Sequence, residues 1–186
     1  MADAPKYTDP NSAIIKRCRT GDKKAFQELY NLYCKAMFNI SLRILNNKDE
    51  AEEVLQDAFL KAFENIGNYD SRFSFGSWLK RIVINRSLDV LKKRKVNFVP
   101  INEAEVPEEE EPEEDFVFDV NVIRKCVQEL PDGYRTILTL FLFEDHSHKE
   151  IAALLGISEG TSKSQYNRAR KKLGEAIKQN TITHER

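Results

Sequence analysis

The sequence has only three cysteines, and none belongs to a C-x-x-C pair. Cys18, Cys34 and Cys126 each lie among apolar residues at helical intervals, which is typical of small core residues in a reducing compartment. No stretch approaches the roughly 18 apolar residues of a membrane span, and the N-terminus MADAPKYTDP has no apolar signal region. We therefore expect a cytoplasmic protein.

Motifs of the common enzyme classes are also lacking. The chain has no glycine-rich phosphate loop, no nucleophile elbow and no H-E-x-x-H. His146 and His148 in EDHSHKE raise the question of a metal, but no third and fourth ligands stand at a usable spacing, so a polar turn is the better interpretation. We expect no enzymatic activity, no cofactor and no metal.

The first half shows no alternation of period two, the pattern that a half-buried strand needs. Its apolar residues recur instead every three or four positions, which predicts amphipathic helices. The second half has the same helical pattern. We therefore predict an all-α protein with two small helical domains joined by an acidic disordered or extended linker. The predicted parts are a flexible N-terminus 1–11, a domain 12–97, the linker 98–119, a domain 120–178 and a tail 179–186.

Charge is unevenly distributed along the chain, although the formal net charge is only -1. Residues 1–100 carry 18 Lys and Arg against 12 Asp and Glu, residues 101–120 carry none against 10, and residues 121–186 carry 11 against 8. The order +6, -10, +3 favours nucleic-acid contact by the outer parts. The acidic part includes VPEEEEPEED, which has too little apolar surface to fold alone.

The segment KEIAALLGISEGTSKSQYNRARKKL has the layout of a helix-turn-helix. Gly156 falls where the turn needs a permissive backbone, and Ser158 is placed to cap the second helix. That helix buries Ser162, Tyr166, Ala169 and Leu173 in the predicted arrangement. Its other face presents side chains able to reach bases and phosphates in a major groove: Lys163, Ser164, Asn167, Arg168 and Lys171. The alternative is a basic amphipathic helix with a solvated face.

Four aromatic residues fall within ten positions, between the predicted second and third long helices. We expect Phe75 and Trp78 to pack inside. Tyr69 and Phe73 are flanked by polar residues in a predicted loop, and they are better candidates for stacking on an unpaired base.

These segments resemble the extracytoplasmic-function (ECF) sigma factors, which are initiation subunits of bacterial RNA polymerase. LPDGYRTILTLFLFEDHSHKEIAALLGISEGTSKSQYNRARKKL resembles region four of that family. GDKKAFQELYNLY, EEVLQDAFLKAF and FGSWLKRIVINRSLD resemble its region two, in order and spacing. Together the two matches cover nearly the whole chain except the linker and tails.

The resemblance implies a role for each matched residue. It places Lys163, Ser164, Asn167, Arg168 and Lys171 against the minus-thirty-five promoter element. It assigns capture of the minus-ten non-template strand to the loop and helix that carry Tyr69, Arg72, Phe73, Lys80, Arg81, Asn85 and Arg86. It places Glu53, Gln56, Asp57 and Lys61 against core polymerase; from the residues alone, a solvated acidic face would be the simpler interpretation.

The partners that the resemblance implies are core RNA polymerase, through its β′ clamp helices and β flap, promoter DNA, and in many members an anti-sigma factor. The linker would then thread toward the RNA exit path, as a stand-in for RNA or as a plain spacer.

Ser162 departs from the family's usual valine, so the hydroxyl is expected to loosen the packing or bond to the preceding turn. Two rival interpretations are a stand-alone helix-turn-helix regulator with a sensing or dimerising N-terminal domain, and a protein-interaction scaffold.

Overall fold

A computed structural model describes residues 8–96, 98 and 120–184, with side chains described through residue 180. Its described residues form helices and no strands, which confirms the all-α prediction. The chain divides into two compact units between Val90 and Leu91, near the end of the fourth helix. The predicted linker lies outside the described residues, apart from Phe98, and so do residues 1–7.

In the first unit, short polar side chains cap the N-termini of the two long helices that follow the first helix. Asp22 accepts hydrogen bonds from the backbone N–H groups of Lys24 and Ala25. Asn46 takes the left-handed conformation at φ 51°, and the Asn47 side chain caps the next helix. The helices are α1 (Ser12–Arg19), α2 (Lys23–Leu45), α3 (Lys48–Glu64), a 3-10 turn (Ile66–Asn68) and α4 (Phe75–Lys93).

The core of this unit lies between α2, α3 and α4 and is partly aromatic. Phe75 is fully buried and lies with its ring centroid 5.4 Å from Tyr33 and 5.6 Å from Tyr69. Trp78 is half-buried against the same two rings, Tyr69 and Phe75. The predicted packing of Phe75 is therefore confirmed, whereas Trp78 closes the edge of the cluster.

The second unit packs two helical pairs around Leu130, Leu138 and Ala169, with Tyr134 and Leu173 against them. Buried Arg135 donates to the Leu130 carbonyl oxygen at 2.6 Å and pairs with Asp132, which fixes the turn between the first two helices. The helices are α5 (Val120–Glu129), α6 (Asp132–Leu142), α7 (His148–Leu155) and α8 (Glu159–His184).

Several local predictions differ from the structure. Cys34 is half-exposed, unlike Cys18 and Cys126, because it lies on the outer side of α2. The glycine at position 67 predicts that α3 ends there. The helix ends instead at Glu64, because the Asn65 N–H and amide group both bond to the last helical carbonyls. Helix α8 continues past the predicted boundary at residue 178.

The N-terminal boundary also differs. Residues 8–11 were predicted within a flexible terminus, yet Asp9 is buried and bonded to the rest of the unit.

Candidate nucleic-acid and polymerase interfaces

The turn between α7 and α8 has the geometry that the sequence predicts. Gly156 lies in the left-handed region at φ 69°, and no atom would contact a side chain added there within 4 Å. The Ser158 hydroxyl accepts from the Thr161 N–H at 2.9 Å, which caps α8. Ser147 and Glu150 form a reciprocal capping box at the start of α7, in a segment predicted only as a polar turn.

One face of α8 is open to solvent and rich in hydrogen-bond donors. Lys163 and Lys171 are exposed, while Ser164 and Asn167 are half-buried at its sides. Arg170, which was not among the predicted DNA-contacting residues, is also exposed. It lies three residues after Asn167, on the same side of the helix, and this spacing could have identified Arg170 from the sequence.

Arg168 does not belong to this face. It was predicted as a DNA-contacting residue, but only 6% of it is exposed. Arg168 follows the buried Gln165 by three positions, so these two residues lie on the same buried edge of the helix. The structure therefore removes Arg168 from the candidate set and adds Arg170.

A side-chain contact ties α7 to α8 on the buried side of α8, opposite the predicted reading face. The buried Ser162 hydroxyl lies 3.0 Å from His148 Nδ1, so it does not bond back to the preceding turn as one prediction had it. The His148 ring stacks on Phe141 with centroids 4.5 Å apart. Burial, and secondly the Lys163 charge, hold the pKa of His148 below its ordinary value.

In the first unit, Tyr69 is not available to a base. Only 3% of Tyr69 is exposed, because its ring packs on Phe75 and Trp78. Its hydroxyl lies 2.5 Å from the Phe73 carbonyl oxygen and 3.1 Å from Asp9 Oδ2. The prediction that Tyr69 stacks on DNA is therefore wrong, since polar neighbours in the sequence did not reveal the contacts that cover the ring.

Phe73 is the exposed aromatic residue of the same loop, with 64% of its surface open to solvent. Exposed Arg72 lies beside it and pairs with Asp70 at 2.6 Å. The Arg72 hydrogen bond holds the pKa of the Asp70 carboxyl below its usual range. Phe73 and Arg72 are thus adjacent exposed residues of this loop.

Helix α4 carries the remaining predicted minus-ten residues. Arg81 and Asn85 are exposed and stand four positions apart, so they share one side of the helix. Lys80 and Arg86 flank that side and are half-buried. Together with Phe73 they give this unit an aromatic ring, an amide and cations within one continuous stretch of chain.

The predicted polymerase-binding residues lie on the outer side of α3. Glu53, Gln56, Asp57 and Lys61 are all exposed, while the intervening Val54, Leu55 and Ala58 are buried. Exposed Leu60 lies among them and adds apolar surface to this side. The structure thus leaves this acidic side uncovered by the rest of the described unit.

Two further properties concern only the described residues. No cluster of His, Cys, Asp or Glu within them has the arrangement of a metal site. No described helix has the length and apolar character required to span a membrane.

Comparisons with known proteins agree with this architecture. Family models match residues 29–96 as Sigma-70 region 2 and residues 121–173 as Sigma-70, region 4. The chain is 30% identical over 177 residues to the ECF RNA polymerase sigma factor SigW of Bacillus subtilis, covering 88% of this chain and 95% of that protein. It is also 30% identical over 182 residues to the RNA polymerase sigma-H factor of Pseudomonas aeruginosa, with 91% and 94% covered.

Among solved structures, the chain resembles the sigma factor RpoE from Bartonella quintana, crystallised in complex with the anti-sigma factor NepR. The TM-score is 0.54 at 24% identity, with 83% of this chain and 98% of that chain covered. This likeness supports the same fold, and the relatives identify the family. The protein belongs to the ECF sigma factors, and its function lies in transcription initiation, where it directs RNA polymerase to promoters.

Proposed function

We propose that the chain reads the minus-thirty-five element as duplex with α8 and captures the minus-ten non-template strand with the loop around Phe73 and with α4. The observation that carries this proposal is the occurrence of both surfaces in one chain. One is a helix face of donors in the second unit, and the other is an exposed ring beside cations in the first unit.

For the upstream element, Lys163, Ser164, Asn167, Arg170 and Lys171 supply the contacts. Asn167 offers an amide able to pair with an adenine edge, and the cations hold phosphates or guanine. The salt bridge between Lys163 and Glu159 at 2.9 Å is exposed, so its loss on binding costs little.

For the downstream element, Phe73 stacks on an unpaired base. Stacking on an aromatic side chain is worth about 1 to 3 kcal/mol per base, which offsets the few kcal/mol needed to flip a base from the duplex. Asn85 provides base-edge hydrogen bonds, while Arg72, Lys80, Arg81 and Arg86 contact phosphates.

The exposed side of α3, with Glu53, Gln56, Asp57 and Lys61, docks on core polymerase, on its β′ clamp helices. Region four, the second unit, contacts the β flap. The Bartonella quintana relative was crystallised in complex with the anti-sigma factor NepR, which supports regulation of this chain by an anti-sigma factor as well. An anti-sigma factor would cover one or both units and keep the protein from polymerase.

The experiment is transcription from a library of randomised promoters by core polymerase, with and without the purified chain. We expect the chain to select sequences with two conserved elements at a fixed spacing. Binding of the chain alone to duplex, with no change in the transcripts made by core polymerase, would instead support a stand-alone regulator.

A further inference from the structure

Asp9, which precedes α1, is a buried carboxylate bonded to residues far along the chain. Its Oδ2 accepts from the Phe75 N–H at 2.6 Å and lies 3.1 Å from the Tyr69 hydroxyl. Its Oδ1 accepts from the Asn11 N–H at 2.8 Å. Only 2% of Asp9 is exposed, and a carboxylate is stable in such a place only when its oxygens are bonded. Asp9 therefore caps the N-terminus of α4, although it lies far from α4 in the sequence.

Arg19, at the other end of α1, holds the same loop from a second side. Its Nη2 donates to the Tyr69 carbonyl oxygen at 2.7 Å, and its Nε donates to the Ile66 carbonyl oxygen at 3.3 Å. The guanidinium also lies 6.0 Å from the centroid of the Tyr69 ring. Tyr69 is thus held at its hydroxyl by Asp9 and at its backbone by Arg19.

A third contact ties the segment before α1 to the start of α4. The Asn11 amide donates to the Tyr33 hydroxyl at 2.8 Å. The Tyr33 ring lies so close to Gly76 that a side-chain carbon added there would stand 3.0 Å from its Cε1. The start of α4 is therefore packed tightly against the part of the unit that Asn11 anchors.

Tyr69 connects Asp9 to the backbone of Phe73, the residue that presents the exposed ring of the loop. The Tyr69 hydroxyl, fixed next to Asp9, lies 2.5 Å from the Phe73 carbonyl oxygen. The Phe73 N–H donates to the Asp70 carbonyl oxygen at 3.2 Å. The backbone of Phe73 is thus fixed on both sides while its ring points into solvent.

We propose that Asp9 and Arg19 are positioning residues for promoter opening: they hold the loop in the conformation that captures the unpaired base before DNA arrives. Order present in the free protein lowers the entropic cost of binding, which favours capture over reannealing. Both residues lie outside residues 29–96, the segment matched to region 2. The proposal rests on the proposed function of Phe73.

The test uses the full chain with core polymerase and measures the rate of promoter opening on duplex DNA. We expect Asp9→Ala and Arg19→Ala each to slow opening by about tenfold, the size of one or two net hydrogen bonds, with core affinity changed by less than about twofold. Arg19 is exposed, so Arg19→Ala remains decisive even where Asp9→Ala fails to fold.

The control is Asp22→Ala, which removes another capping aspartate of the same unit that does not touch the loop. It should lower thermal stability and leave the opening rate unchanged. An equal loss of opening in Asp22→Ala would mean that Asp9 acts only through stability, and would overturn the proposal.

A double-mutant cycle separates positioning from stability. If Asp9 acts through the Phe73 ring, Asp9→Ala should change opening by less than about twofold in a Phe73→Ala background. A full loss in that background overturns the proposal, as does wild-type opening by both Asp9→Ala and Arg19→Ala. If Phe73→Ala itself opens promoters normally, the proposed function of the loop fails, and that result is distinct from a failure of Asp9 and Arg19 alone.

Discussion

Phe73 and Tyr69 stand four residues apart in one loop, yet only Phe73 presents its ring to solvent. The same contrast separates Arg170 from Arg168 on α8. In both pairs the residue types are equally suited to DNA, and the difference lies in what covers them. At the scale of the residue, burial therefore decides which side chains can meet the promoter.

Asn167 and Arg81 are expected to differ in what they contribute. Asn167→Ala should change which upstream sequences are used, because an amide reads a base edge. Arg81→Ala should weaken all promoters by a similar factor and lower the salt slope by about 1, because a phosphate contact carries no sequence information. Binding of the polymerase complex to a promoter panel at several salt concentrations measures both effects. Equal loss at every promoter from both variants would contradict this division.

His148 makes the stability of the second unit depend on pH. Burial and Lys163 lower the pKa of His148 in the folded chain, while Glu159 opposes them. The unfolded chain therefore takes up the proton more readily, and stability should fall as pH drops below about 6.5. Between about pH 7.5 and 5.5, the His148→Gln variant should lose less stability than the unchanged chain. Unfolding midpoints at several pH values measure this difference. An unchanged pH dependence in the variant would contradict the assignment.

At the scale of the element, the starts of helices follow local sequence more closely than the burial of loop residues does. Ser158 caps α8 as predicted, and Asp22 and Asn47 cap their helices in the same local way, because a cap depends on residues two or three positions away. The burial of Tyr69 depends on Asp9, sixty positions earlier, and no local pattern contains it. Helical periodicity predicted most of the exposed side of α8 correctly, but it did not predict where the buried side ends, and for this reason Arg168 was placed on the exposed side.

The turn between α7 and α8 depends on backbone conformation rather than on space. Gly156→Ala should destabilise the protein by about 1 kcal/mol, because L side chains disfavour φ 69°. Gly174→Ala is a matched control: it also has no atom within 4 Å, but it lies inside α8 at an ordinary φ. It should stabilise by about 0.5 to 1 kcal/mol through helix propensity. Chemical denaturation measures both, and the same sign for both would contradict this account.

At the scale of the whole molecule, the proposed function requires both units to act together with core polymerase. The exposed side of α3 should decide whether the chain joins core polymerase at all. Asp57→Lys should lower the affinity of the chain for core polymerase by about tenfold or more, because it places a positive charge within the acidic side of α3 that is proposed to dock there. Glu175→Lys makes the same charge change on exposed α8 and should leave core affinity near wild type. Equal loss from both variants would show a general charge effect.

The most direct measurement of the central claim is permanganate reactivity of thymines in a promoter fragment. With core polymerase and the chain together, we predict reactive thymines in the minus-ten region of the non-template strand, and none with either protein alone. Opening should be slowed, though still measurable, in the Phe73→Ala variant while upstream protection persists. Tight duplex binding by the chain alone, with no opening when core polymerase is added, would contradict the account.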